Sequence, residues 1–515
     1  MKSIFNKFAI SVLCILLAGC DFDEINTNPN APTTATPGML AAGQIGNMLM
    51  KERNGKGYFY DHMVSKHISW GEGRVEDYQY NNLGRWGFGV YTNLTNAQKM
   101  VEIADELDKD AYTGLFLLIK ASCLFELSLG VGDIPYSDAL KALEGITSPK
   151  YDTQKEVMLQ ILDDLDAAYT HFGKATQPFD GDISHFAGDP VKWQRSVSML
   201  QLKVLINLSK KESDPDLNVK GRFAEIVANR QLQLSNDDNL QLTYGEQASN
   251  EYALYRISDR NRDYMYPDMT TPVMNPLKQY EDRRLFSFAE PCKAKVDAGV
   301  AENKWDAYGC VDPSLRYTEE IIPYRSDGNV SLINNRFFEI QSGQPTIKHG
   351  YAEQNFILAE ARLRGWITTG DANEYYKEGI RASMKFNAQY TPTAYSHDMP
   401  ITDEWIEEFL QKFELQLNTS AGLSPENLEK IITQKYLAAF MHDTYNSYFE
   451  YRRTGYPVLP INPESNRNTD PTKMPVRWMY SESEYQYNRE NVLEAVQRQF
   501  GGNDDVNELM WILKE

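Results

Sequence analysis

The sequence predicts a mostly α fold: a layer of packed helices with a long irregular, loop-rich insertion that carries short strands. Three observations predict it. Apolar residues recur every three or four positions through much of the 515-residue chain. Two neighbouring predicted helices carry small residues on facing sides, with a capped turn between them. Residues 233–348 abandon the helical period and are rich in Asn, Asp, Gly, Pro and Tyr. A helix with one apolar stripe must bury it against another element, so a succession of them implies a helical layer.

The elements follow in chain order. Lys2 and Lys7 precede an apolar run from Ala9 to Leu17, which closes on Leu17-Ala18-Gly19-Cys20. A charged start, a short apolar stretch and small residues before a cut make residues 1–19 a secretory signal peptide. The run is too short for a permanent membrane helix. Leu-Ala-Gly-Cys resembles a bacterial lipobox, which implies cleavage before Cys20 and lipidation of that residue. No later run reaches 18 consecutive apolar residues, so the expected hold on the membrane is the acyl anchor. Asp21-Phe22-Asp23-Glu24 resembles a surface-export signal of bacterial lipoproteins; a solvated tether needs acids equally. Pro29, Pro32 and Pro37, with Asn26, Asn28 and Asn30, make residues 20–37 an extended leader.

Helices follow. Tyr112, Phe116, Ile119, Cys123 and Leu127 share one face, with Cys123 expected inside. Val157, Ile161, Leu165 and Ala168 share another, and Trp193, Val197, Leu200, Val204 and Leu208 a third. Ala352, Phe356, Ala359, Leu363 and Trp366 line the first helix of the hairpin, and Thr368-Thr369-Gly370 makes its turn. Asp371 sits three residues before Glu374, a capping-box-like start for a second helix carrying Ala372, Tyr375, Tyr376, Gly379 and Ser383. This order resembles a tetratricopeptide hairpin, so the expected fold is a tetratricopeptide-like helical layer. Within the insertion, Gln241 to Tyr244 and Phe337 to Ile340 are predicted as short strands. Near the other end of the chain Ser424-Pro425-Glu426 starts a helix with Leu428, Ile431, Lys435 and Ala439 on its stripe.

Composition narrows the function. The net charge is -20, which excludes the basic face that nucleic acid requires. Tyr 31 and Trp 8 exceed what a core alone needs, and such rings suit binding surfaces. Of the cysteines beyond the leader, Cys292 and Cys310 lie 18 residues apart in loop-rich sequence, where an extracytosolic disulfide is possible.

Several segments together resemble one family. Glu24-Ile25-Asn26-Thr27-Asn28-Pro29-Asn30-Ala31-Pro32 is similar to the leader of SusD/RagB-type outer-membrane lipoproteins. So are Gly132-Asp133-Ile134-Pro135-Tyr136, the Ala359-Glu360-Ala361 and Gly370-Asp371-Ala372 pair, and Glu450-Tyr451-Arg452-Arg453-Thr454-Gly455-Tyr456-Pro457. Arg477 to Tyr480, with Glu484, Tyr487 and Asn488, resembles the C-terminal signature; Ser481 departs from the expected Pro. The resemblance implies one helical domain over 38–515, no catalysis and no cofactor. It implies display on the outer membrane facing the exterior, and capture of an oligosaccharide or peptide nutrient. It also implies a partner, a SusC-like TonB-dependent transporter.

The best stretch for a ligand is 58–91, with Tyr58, Tyr60, Trp70, Tyr78, Tyr80, Trp86 and Tyr91 among glycines. Aromatic planes stack on the C–H face of a sugar while polar neighbours bind its hydroxyls. The candidates are Trp70, Tyr78, Tyr80 and Trp86, with Arg74 and Asn81 as polar partners. The same rings also suit a second role, anchoring a long loop to the helices. Tyr264, Tyr266, Trp305 and Tyr308 make a second region. Tyr451-Arg452-Arg453 reads as structural, because adjacent arginines near acids usually form ion pairs. Two rival readings stand beside capture. A helical glycoside hydrolase needs two placed carboxylates, and with 72 acids pairs carry no information. Hydrolase, metalloprotease and phosphate-loop motifs do not occur, and no metal set is expected. The other rival is a helical scaffold that binds only proteins.

Overall fold

The computed structural model describes residues 34–50, 55–72, 75–247, 250–255, 263–442 and 444–515. The signal peptide, Cys20 and most of the leader lie outside the described residues, as does Arg74. The chain is mostly helical, as the periodicity predicts.

Among the described residues twelve helices have nine or more residues, and all but Thr271–Gln279, which lies in the insertion, belong to the layer. They are α1 Pro37–Leu49, α2 Val90–Ile103, α3 Lys109–Val131, α4 Gln154–Lys174, α5 Pro190–Asn207 and α6 Val219–Asn229, then α7 Thr271–Gln279, α8 Tyr351–Leu363, α9 Ala372–Tyr390, α10 Pro425–Ala438, α11 Tyr445–Thr454 and α12 Arg489–Phe500. Sequential helices pack on one another: α3 on α4, α4 on α5, α8 on α9, and α10 on both α8 and α9. Contact between α5 and α8 joins the two halves. One hydrophobic cluster runs from Ala41 to Leu513. By length and composition α3 is apolar enough to cross a membrane, but 72% of its most apolar window is buried, so it is a core helix.

Local chemistry sets the helix starts. Thr153 and Glu156 form a complete capping box on α4. Asp371 accepts from the backbone N–H groups of Asn373 and Glu374 at the head of α9, and Ser424 accepts from Asn427 at the head of α10. Close approach between α8 and α9 depends on Gly379, where a Cβ would lie 2.7 Å from the Phe356 ring.

Four short strands tie the loops down: β1 Ile68–Trp70, β2 Leu240–Leu242, β3 Pro267–Met269 and β4 Thr346–His349. β2 pairs antiparallel with β4, Leu240 opposite His349, and so closes the neck of the insertion. β1 pairs antiparallel with β3, Trp70 opposite Pro267. The strand predicted at Phe337–Ile340 is instead a helical turn, Arg336–Glu339. Asn334 Oδ1 accepts from the Arg336 N–H at 2.9 Å, and the turn buries the Arg336 guanidinium, whose Nε donates to Ser287 O at 2.9 Å.

The cysteines also depart from expectation. Cys292 and Cys310 are separate free thiols, not a disulfide. Cys292 Sγ is held instead by the Asn329 carbonyl at 3.0 Å. Cys123 is half-buried, and burial still pushes its thiol up to about 12.

Candidate functional site

Pairing of β1 with β3 brings together the two aromatic regions that lie some two hundred residues apart in sequence. The turn Gly55–Phe59 packs on the turn Asp263–Met265. On the resulting face Tyr60, Tyr78, Tyr264 and Tyr266 are half-buried. Tyr60 and Tyr78 pair with ring centroids 5.0 Å apart, and Tyr266 lies 5.5 Å from Trp70. Val75 and Met265 are exposed beside them. Lys56 bridges Glu72 at 3.5 Å and Glu76 at 2.5 Å. The face therefore offers tilted aromatic planes flanked by carboxylates and an ammonium.

Buried polar groups hold this face from beneath. Gln79 Oε1 accepts from the Trp70 N–H at 2.8 Å, while its Nε2 donates to Ser69 Oγ at 3.0 Å and to Pro313 O at 3.2 Å. One amide thus ties β1, the loop that carries Tyr78, and the insertion. Arg325 Nε donates to both oxygens of Asp268, at 2.9 and 3.1 Å, and the guanidinium also reaches Met265 O. Gly71 is required here, because a Cβ would lie 2.4 Å from Arg325 Nε. Burial raises the Asp268 carboxyl to about 7, with Arg325 opposing. Lys66 Nζ donates to Gln79 O and to Asn81 Oδ1, the latter at 2.8 Å. Burial lowers its ammonium to about 7, with Asp312 opposing.

The sequence-based candidates divide. Tyr78 is on the face. Trp70 is fully buried, its Nε1 donating to Glu72 at 3.1 Å, so it supports the face instead of forming it. Tyr80 is buried and donates to Leu315 O at 2.8 Å; Asn81 is buried between Lys66 and Asn466. These two anchor the loop. Trp86 is half-buried and packs edge-on against Trp478 at 4.5 Å, with Gly130 beneath its ring, so it fastens the C-terminal segment to α3. In the second region Tyr266 packs on Trp70 and Tyr264 lies half-buried at the same junction, edge-on to Phe338 at 6.2 Å. Trp305 and Tyr308 pack on Phe286 instead, at 4.7 and 5.2 Å. Gln79, Lys66 and Arg325 are the residues that sequence reasoning missed. The one available signal was Gly71, a glycine where a side chain from afar has to fit.

Tyr451-Arg452-Arg453 is structural. Arg452 donates to Leu129 O at 2.8 Å, and Arg453 donates two hydrogen bonds to the Glu360 carboxylate at 2.6 and 2.7 Å. No group of three or more His, Cys, Asp or Glu side chains suited to a metal occurs among the described residues.

A helical layer that displays a loop-built, tyrosine-rich face is the architecture of a surface-decorated helical-repeat protein. The SusD-like family, described as starch-binding and associating with the outer membrane, matches residues 29–481. The chain belongs to that family. A SusD homolog from Bacteroides fragilis is 48% identical, with a TM-score of 0.88 over 93% of this chain and 100% of that one. An outer membrane protein of Bacteroides vulgatus, linked to nutrient binding, is 31% identical, with a TM-score of 0.83 and coverage of 93% and 100%. A chitin-binding SusD homolog from Flavobacterium johnsoniae is 21% identical at a TM-score of 0.71, covering 93% and 99%, and shares the fold. No curated protein matches the chain.

Proposed function

We propose that this protein is an outer-membrane lipoprotein that captures an oligosaccharide at the cell surface and delivers it to a SusC-like TonB-dependent transporter. A peptide nutrient is the alternative cargo. The observation that carries the reading is the joined face. Pairing of β1 with β3 assembles Tyr60, Tyr78, Tyr264 and Tyr266 from two distant segments, with Lys56, Glu72 and Glu76 at its edge. Rings of this kind stack on apolar sugar faces, and charged or amide neighbours bind hydroxyls. The family description and the binding assigned to relatives support the same reading. Membership also supports capture without turnover.

The test is calorimetry of the protein starting at residue 21 against malto-oligosaccharides, chito-oligosaccharides and a mixed peptide panel. One class should bind. Tyr78→Ala and Tyr266→Ala should each weaken binding about tenfold, the loss of about 1.4 kcal/mol of stacking. Oligosaccharide affinity unchanged in both variants would sink the assignment of the face. Binding of peptides alone would replace the cargo and keep the site.

A further inference from the structure

A separate cavity lies within the helical layer, where α8, α9, α10 and α11 meet β4. It is a recess open at its mouth with a cavity volume of about 80 Å³, several times the roughly 10–15 Å³ that one water needs. Nothing in the capture reading uses it.

The charges in its wall are already matched. Lys435 Nζ lies 3.1 Å from Glu450 and 3.3 Å from Glu353, and Lys348 Nζ lies 2.8 Å from Glu126. A charged guest would have to break one of these pairs, and a buried partner stripped of its counter-charge is strongly unfavourable. The guest is therefore neutral.

Its polar groups are asparagines, and they are half-used. Asn387 Nδ2 donates to Ser383 O at 2.9 Å and Asn236 Nδ2 to Ala382 O at 2.9 Å, so each presents its Oδ1 as an acceptor. Asn239 is reversed: its Oδ1 accepts from the Tyr351 N–H at 2.8 Å, and its Nδ2 remains a donor. Asn446 makes no side-chain hydrogen bond among the described residues and offers both. Each amide carries two donors and an acceptor oxygen. Donors and acceptors thus surround one neutral space, and Phe386 and Ile432 supply an apolar wall. Hydroxyls that both donate and accept, on a ring with apolar C–H faces, match that combination. Tyr436 completes the lining and is fixed by stacking on His67, centroids 3.7 Å apart, so the wall is preformed.

We propose that this cavity is a second binding site, apart from the tyrosine face, that takes one uncharged sugar unit read by Asn236, Asn239, Asn387 and Asn446.

The experiment is calorimetry of the protein with glucose and N-acetylglucosamine at millimolar concentration, against their charged counterparts glucosamine and glucuronic acid. Ala439→Leu fills space in the cavity and Asn446→Leu removes an amide from its wall; both positions are partly exposed. Saturable binding of a neutral sugar, lowered at least tenfold by both variants, is expected. Charged sugars should bind at least tenfold more weakly than the neutral one. The proposal fails if neither neutral sugar binds, if a charged sugar binds as tightly, or if binding survives both variants.

Discussion

Lys66 has a backbone φ of 62 and Asn81 one of 65, the left-handed region that non-glycine residues seldom occupy. A hydrogen bond of 2.8 Å joins the two side chains, so each strained turn is held by the other. The buried ammonium titrates near 7 in the fold, against about 10.4 in an unfolded chain. Between those values the unfolded chain binds a proton that the fold has released. Stability from this group therefore rises with pH across that window, by about 1.4 kcal/mol per unit, and the gain is lost as pH falls through 7. The stability difference between wild type and Lys66→Met, followed by denaturant unfolding at pH 7, 8 and 9, should change by that slope. Parallel curves would show that Lys66 keeps its proton in the fold. At this scale the sequence is a poor guide. Tyr78, Trp70 and Tyr80 read alike along the chain, and only their partners separate the ring on the face from the two inside. Long-range hydrogen bonds such as Gln79 to Pro313 leave no mark in local pattern.

Two segments read separately in the sequence, Ala359-Glu360-Ala361 on α8 and Glu450-Tyr451-Arg452-Arg453 on α11, form one buried ion network. Arg453 meets Glu360 at 2.6 Å, and Lys435 on α10 meets Glu450 at 3.1 Å. Burial pushes the Glu450 carboxyl up, but Arg453 and Lys435 together outweigh it and hold the group down to about 2. The network clamps three helices, and removing one member strands its partner without water. Arg453→Met should therefore destabilise the protein by about 3–5 kcal/mol, read as a lower urea midpoint. A loss under about 1 kcal/mol would mean that water reaches Glu360 and Glu450. Helices are the most legible level of this chain, because apolar period and capping residues are local. In the hairpin of α8 and α9 the second helix begins after Asp371, as its capping pattern predicts. The turn at Arg336–Glu339 escaped, because a short apolar run suits strand and helix alike until its buried arginine finds partners.

For the whole molecule, the loop-rich stretch at 233–348 stands out in composition, and its structural neck falls close to those bounds, at Leu240 and His349. Its pairing with β1 could not be read, since nothing in a three-residue strand names a partner two hundred residues away. On the proposed function, attachment to the membrane would rest on Cys20. We predict that Cys20→Ser releases the protein from the detergent phase into the aqueous phase on partitioning, because the lipobox-like Leu17-Ala18-Gly19-Cys20 would carry the acyl anchor. A variant that stays with the membrane fraction would point to a second anchor. The closed neck has a wider consequence. Because β2 and β4 bring the two ends of the insertion side by side, the enclosed stretch enters and leaves the helices at one point. Changes in its length leave helix register untouched, provided Pro267–Met269 keeps its place beside β1 and Arg284 keeps its bonds to Ser383 and Gln434. A chain built this way can exchange one half of its tyrosine face, Tyr264 and Tyr266, as a single cassette while the helical layer is inherited unchanged.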